Sequence, residues 1–146
     1  MKQFIRIALL LTVTVSSYAQ IKSPQVWDAA SIKWQETYAD GTKYSLLEGD
    51  RNAPGKPFTY AFFIPAGYWE HHWHSQDARV AVLQGALRVS FGNKLDKENA
   101  KPYPVGTFLL VPANLQHTMG AEVDTIIIGT AVGPWATHHH EEHEHH

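Results

Sequence analysis

Short apolar runs broken by Gly, Pro, Asn and Asp dominate the chain from residue 42 onward. Thr42–Leu47 follows the Asp40-Gly41 turn, and Phe58–Ile64 ends at Pro65-Ala66-Gly67. Arg79–Leu83 reaches Gln84-Gly85. Ala86–Phe91 then alternates, with Leu87, Val89 and Phe91 on one face and Arg88 and Ser90 on the other. Thr107–Val111 stops at Pro112, and Thr125–Thr130 is rich in isoleucine. A period of two over short runs bounded by turn formers predicts strands, and many such strands predict an all-β sandwich or barrel. The polar stretch Asn93–Pro104 carries two prolines and reads as a surface connection. Helix is plausible only over Ser23–Lys33, where Ser23-Pro24 could supply a cap and first turn. A short N-terminal segment is therefore expected to be helical or irregular. No repeat at solenoid periods and no internal linker interrupts residues 20–137, which read as one domain.

Residues 1–19 have the organisation of a secretory signal peptide. Lys2 and Arg6 give a positive start, Ile7 to Val15 an apolar run, and Ser17-Tyr18-Ala19 small residues at the −3 and −1 positions. The run is far shorter than the ~20 residues that span a bilayer. A bacterial periplasmic or secreted protein cleaved before Gln20 is expected, with no membrane attachment after cleavage.

Composition narrows the function classes. The net charge is -2, and loss of Lys2 and Arg6 makes the body more acidic, so no basic patch favours nucleic acid. There is no cysteine, which removes disulfides, thiolate metal sites, cysteine nucleophiles and lipid-modified cysteine. A small molecule is the expected partner, with room for a homodimer.

Histidine is the abundant chemical group. Of 10 in the chain, His71, His72, His74 and His117 lie in the body. On a strand His72 and His74 share a face and His71 points the other way. Two imidazoles so spaced can hold one divalent metal if a third ligand comes from elsewhere, and His117 is the other histidine of the body.

Here the chain resembles the cupin superfamily. The first cupin motif places a glycine, a short spacer, His-x-His, then a glutamate and a turn glycine; this chain has Gly67, His72-Trp73-His74 and Gly85. The second motif spaces glycine, proline, glycine and histidine as Gly106, Pro112, Asn114 and His117 are spaced here. Asn in the glycine slot tolerates the left-handed backbone such turns use. Leu47-Glu48-Gly49-Asp50, Val82-Leu83-Gln84-Gly85 and Gly133-Pro134-Trp135 are similar to a branch of small, single-domain, often secreted cupins whose reactions are largely unassigned. The resemblance implies a double-stranded β-helix, or jelly-roll barrel, with His72, His74 and His117 as metal ligands at its mouth.

One position departs from the pattern. Counting back from Gly85, the slot of the usual glutamate ligand falls at Ala78, which cannot bind metal. Glu70 shares the parity of His72 and His74 and could replace the carboxylate or act in catalysis; Gln76 has the same parity and Asp77 the opposite one. Three neutral imidazoles would leave open positions on an ion. They suit Fe, Zn, Ni or Cu better than Mn, and no organic cofactor is implied. Some cupin dioxygenases resemble this arrangement. Alternatively the vacant slot records loss of metal, and the histidines line a plain ligand cavity.

Tyr68, Trp69 and Trp73 flank the histidines and could wall a pocket, although alternation turns Trp73 away. Trp27, Trp34 and Trp135 are expected to cover barrel surfaces. Arg79 could recruit an anion or pair with Asp77. His138–His146 reads as a histidine-rich disordered tail able to capture metal by composition. Two function classes stand side by side. One is a metal-dependent oxygenase or isomerase acting on a small chelating molecule; the other is a non-catalytic binding protein for a small ligand or metal ions.

Overall fold

The computed structural model describes residues 23–139. The expected leader and residues 140–146 of the tail lie outside the described residues. In chain order the strands are β1 Glu36–Thr37, β2 Lys43–Glu48, β3 Pro57–Ile64, β4 Trp69–His74, β5 Ala78–Gln84, β6 Ala86–Phe91, β7 Lys101–Pro104, β8 Phe108–Val111, β9 His117–Gly120, β10 Thr125–Val132 and β11 Thr137–His139. They form a six-stranded sheet, β1-β2-β3-β10-β5-β8, and a five-stranded sheet, β11-β4-β9-β6-β7. Neighbouring strands run antiparallel throughout. The protein is all-β, two sheets folded over one another as a jelly roll. Among the described residues no helix is long and apolar enough to cross a membrane.

Alternation builds the core. In β5 the side chains of Ala78, Val80 and Val82 are buried while Arg79 is exposed. They meet Leu87 and Val89 of β6, Val111 of β8, Met119 of β9 and Ile127 of β10 between the sheets. The tight β5–β6 connection turns on Gly85, at φ 73°. A Cβ there would lie 2.5 Å from the Asp124 carbonyl oxygen and from Thr125 Oγ1, so both backbone and space demand glycine.

The outer face of the six-stranded sheet is covered by the N-terminal segment rather than left in water. Ile32 packs with Ala61 and Ile126, joined by Ala29, Trp34, Phe63 and Ile128, and the Trp34 and Phe63 rings lie 6.1 Å apart. No helix forms over Ser23–Lys33, and the irregular alternative is what the chain adopts. The Asp28 carboxylate accepts from the N–H groups of Ala30 and Ser31 at 2.9 and 2.8 Å, and Ser31 Oγ accepts from Asp28 N–H at 2.9 Å. These local bonds close one turn and satisfy the groups that would have begun a helix, after which Ile32 and Trp34, two residues apart, lie extended along the sheet.

Two further expectations are corrected. Asn93–Pro104 is not all connection, because Lys101–Pro104 pairs with β6 as the edge strand β7. An edge tolerates Pro102 and Pro104, whose missing N–H groups cost no ladder bond when they face outward. The first two residues of the tail expected to be disordered lie instead in β11, in which Thr137, His138 and His139 pair with His74, Trp73 and His72.

Candidate metal centre

Register brings the site together. His72 of β4 lies directly across from His117 of β9, and His74 lies two residues along on the same face. The ring centroids are 4.7 Å apart for His72–His74, 4.3 Å for His72–His117 and 5.1 Å for His74–His117. One nitrogen from each ring falls within 4.8 Å of the others. All three side chains are buried. The three residues read from the motif spacing are thus assembled on one wall of a cavity.

The turn before His117 is held from both sides. Asn114 adopts φ 63°, the left-handed backbone expected of its slot, and its N–H donates to the His74 carbonyl at 2.8 Å. Asp77, pointing away from the cavity, accepts from Ala113 N–H at 2.9 Å and pairs loosely with Arg79 at 3.7 Å. His117 Nδ1 lies 2.8 Å from the Leu115 carbonyl oxygen. A carbonyl only accepts, so Nδ1 carries the proton and Nε2 keeps its lone pair.

Burial and the neighbouring rings disfavour protonation of the whole trio. His74 is lowered to about 3, by burial first and then by His117. His72 lies far below the ordinary histidine value for the same reasons. His117 is lowered by burial, against the opposing effect of its bond to Leu115. Neutral imidazole is the form that ligates metal. Nδ1 of His72 and Nδ1 of His74 are buried and make no hydrogen bond, an arrangement that costs stability unless something polar enters. A cluster of neutral nitrogen donors with buried, unpartnered atoms fits a divalent transition metal.

Ala78 lines the same cavity and is 1 % exposed, so the vacant glutamate slot faces the histidines. Glu70 also lines it. Its Oε1 lies 3.4 Å from His72 Nδ1, without the alignment of a hydrogen bond, and it stands outside the three-nitrogen group. Burial pushes its carboxyl up to about 7, the Tyr68 hydroxyl pulls it partly back and Asp40 adds to the rise. Gln76 is not part of the cavity wall. His71 faces the other side of β4, within 2.9 Å of the Gly92 carbonyl.

The cavity holds about 350 Å³ and is mainly apolar. Its aromatic walls differ from those expected. Trp69 has the parity of His71 and faces away, and Tyr68 packs into the core; Trp73 faces away as alternation requires and stacks on His138 at 5.5 Å. The walls come instead from Tyr44, Phe58, Tyr60 and Trp135. Trp135, expected on the surface, stacks on His74 with centroids 4.4 Å apart. His139, counted as tail, lines the cavity beside His72 and comes within 3.8 Å of Glu70 Oε2. Arg51 also reaches the wall, its guanidinium 5.6 Å from the Tyr44 ring centroid.

The comparisons with solved structures concern the fold. A cupin-like protein from Thermotoga maritima superposes with a TM-score of 0.60 at 19% identity, over 75% of this chain and 87% of that one. This is a cupin fold. Salicylate 1,2-dioxygenase from Pseudoaminobacter salicylatoxidans, as a point mutant in complex with gentisate, matches at 0.57 and 15% identity, over 70% of this chain and 30% of that one. A complex of SigE with the anti-sigma ChrR from Rhodobacter sphaeroides matches at 0.53 and 24% identity, over 70% of this chain and 51% of that one. The chain therefore spans about half, or less, of these last two. No family sequence model and no curated protein sequence matches it.

Proposed function

We propose that this cupin is an exported, metal-dependent enzyme, an oxygenase or isomerase acting on a small chelating molecule. One observation carries the reading: three buried, neutral imidazoles converge within 4.8 Å on a cavity of about 350 Å³. His72, His74 and His117 would hold Fe, Zn, Ni or Cu in preference to Mn. When bound, such an ion supplies Lewis acidity or oxygen activation. The protein's own groups do the rest. The apolar walls limit water, and Trp135 fixes the plane of His74. Glu70, its carboxyl pushed up to about 7, would take a proton from the ligand. Export rests on the leader, Lys2 and Arg6 before Ile7–Val15 and Ser17-Tyr18-Ala19.

The test is elemental analysis of the chain truncated after His139, which keeps β11 and removes the rest of the histidine tail. One tightly held equivalent of a transition metal, lost in His117→Ala, is expected. A metal-free truncated protein that takes up none of the four ions overturns the reading. The vacant slot at Ala78 favours a second reading, a non-catalytic binder of a small ligand or of metal ions. Stoichiometric metal with no oxygen uptake or isomerisation across a panel of enolates, diketones and thiols would select it.

A further inference from the structure

The cavity has a second polar feature, away from the trio. Trp135 stacks on His74, lies 6.2 Å from the Tyr60 ring, and Tyr60 stacks on Tyr44 at 5.8 Å. Arg51 stands over Tyr44. The rings thus form a path from the histidines to a guanidinium. That guanidinium makes no ion pair with a carboxylate among the described residues. The acidic groups nearby are engaged elsewhere: Glu36 accepts from the Tyr38 hydroxyl at 2.6 Å, and Asp40 Oδ1 accepts from the Thr42 hydroxyl at 2.6 Å and its N–H at 2.9 Å. Beside Arg51 the Tyr44 hydroxyl is buried and makes no hydrogen bond of good geometry; the guanidinium opposes the upward push of burial on this hydroxyl, by charge first and by a loose side-chain bond second.

Arg51 is also held in place. Trp135 N–H donates to the Arg51 carbonyl at 3.0 Å. A Cβ on Gly133 would come within 2.8 Å of that same oxygen, so the β2–β3 loop is seated against the segment that carries Trp135. The residue that flanks the metal-binding histidines therefore also sets the position of the cation.

We propose that Arg51 and Tyr44 form an anion subsite, so that the preferred small molecule is planar and carries a carboxylate remote from its metal-binding atoms. The carboxylate would take the fork of Arg51 and the adjacent hydroxyl of Tyr44, its ring would lie along Tyr60 and Trp135, and its chelating end would reach His72, His74 and His117. A planar guanidinium matches a carboxylate in two parallel bonds. This inference rests on the metal reading for the chelating end only.

The matched probes are 3,4-dihydroxybenzoate and catechol, which share a chelating end and differ by one carboxylate. Each is titrated calorimetrically into the Zn²⁺-loaded protein after Zn²⁺ binding has itself been measured. A charge-assisted bond predicts a preference for 3,4-dihydroxybenzoate of roughly tenfold or more. Arg51→Gln should erase that preference while leaving catechol and Zn²⁺ affinities unchanged. Arg51→Lys should restore part of it, and Tyr44→Phe should reduce it. Equal affinities for the two probes, or a preference that survives Arg51→Gln, overturns the subsite. If none of the four ions binds, the metal reading falls alone: benzoate titrated into the metal-free protein, with and without Arg51→Gln, then decides the subsite by the same criterion.

Discussion

Ala78→Glu restores a carboxylate to the slot that faces the trio, and its cost is set by a neighbour. Glu70 shares the cavity and is raised by burial from 4.5 to about 7. A carboxyl grown from a position 1 % exposed meets at least that much desolvation, worth roughly 3 kcal/mol at about 1.4 kcal/mol per unit. Space is not limiting, since the four added heavy atoms take a small share of about 350 Å³. In chelator the variant should therefore melt roughly 10 °C below the parent, at about 3–4 °C per kcal/mol for a domain of this size. With metal present the same carboxylate becomes an oxygen ligand. Metal at a thousandfold excess over its dissociation constant stabilises by about 4 kcal/mol, enough to offset the penalty. The assay is calorimetric melting of both proteins in chelator, Zn²⁺ and Mn²⁺. The Mn²⁺ increment should be larger in the variant, because an oxygen ligand suits that ion. A variant that melts with the parent in chelator and gains nothing from any ion would refute the placement of the slot.

His74→Leu exchanges a buried, unpartnered imidazole for an apolar side chain of similar size; it should raise metal-free stability by roughly 1 kcal/mol and abolish the metal-dependent rise in melting temperature. The metal-free protein should lose stability as pH falls from 6.5 toward 3, because the unfolded chain takes up a proton that folded His74, lowered to about 3, refuses. Glu70 acts with the opposite sign: its raised carboxyl favours the folded state below pH 4.5, and that contribution is lost as pH rises toward 7, so Glu70→Gln should flatten this component in melting curves taken across pH. Gly85→Ala should cost roughly 2 kcal/mol in denaturant unfolding, since the substitution strains a positive φ and forces Cβ onto two oxygens.

Sequence made the trio legible because its logic is local. Two-residue parity set His72 and His74 apart from His71, and a proline-bounded turn of fixed length delivered His117 beside them. Asn114 was legible for the same reason, as a residue type suited to one backbone conformation. Trp135, Arg51 and Tyr44 were not, because their meeting depends on a hydrogen bond between segments far apart in the chain, and neither residue type nor spacing records it. Lys101–Pro104 and Thr137–His139 were hidden by composition: prolines and a histidine-rich run mask strands whose stability comes from pairing at a sheet edge. Of the two alternatives open near Ser23, the irregular one won where the Asp28 side chain offered the backbone a competing set of bonds.

The position of β10 has a consequence for how the protein is made. This strand is central to the larger sheet, between β3 and β5, yet it follows β4 to β9 in the chain and leaves the ribosome after them. Until residue 132 has emerged, β3 and β5 have no bridge, and until residue 135 has emerged, His74 has no ring to rest on. Most of the strand pairings join distant parts of the chain, a topology that folds slowly and as a unit. A nascent or prematurely terminated chain can carry all three histidines and still own no cavity. The histidine-lined cavity is thereby tied to the emergence of β10 and Trp135, and a chain stopped before them leaves the three imidazoles without their shared wall.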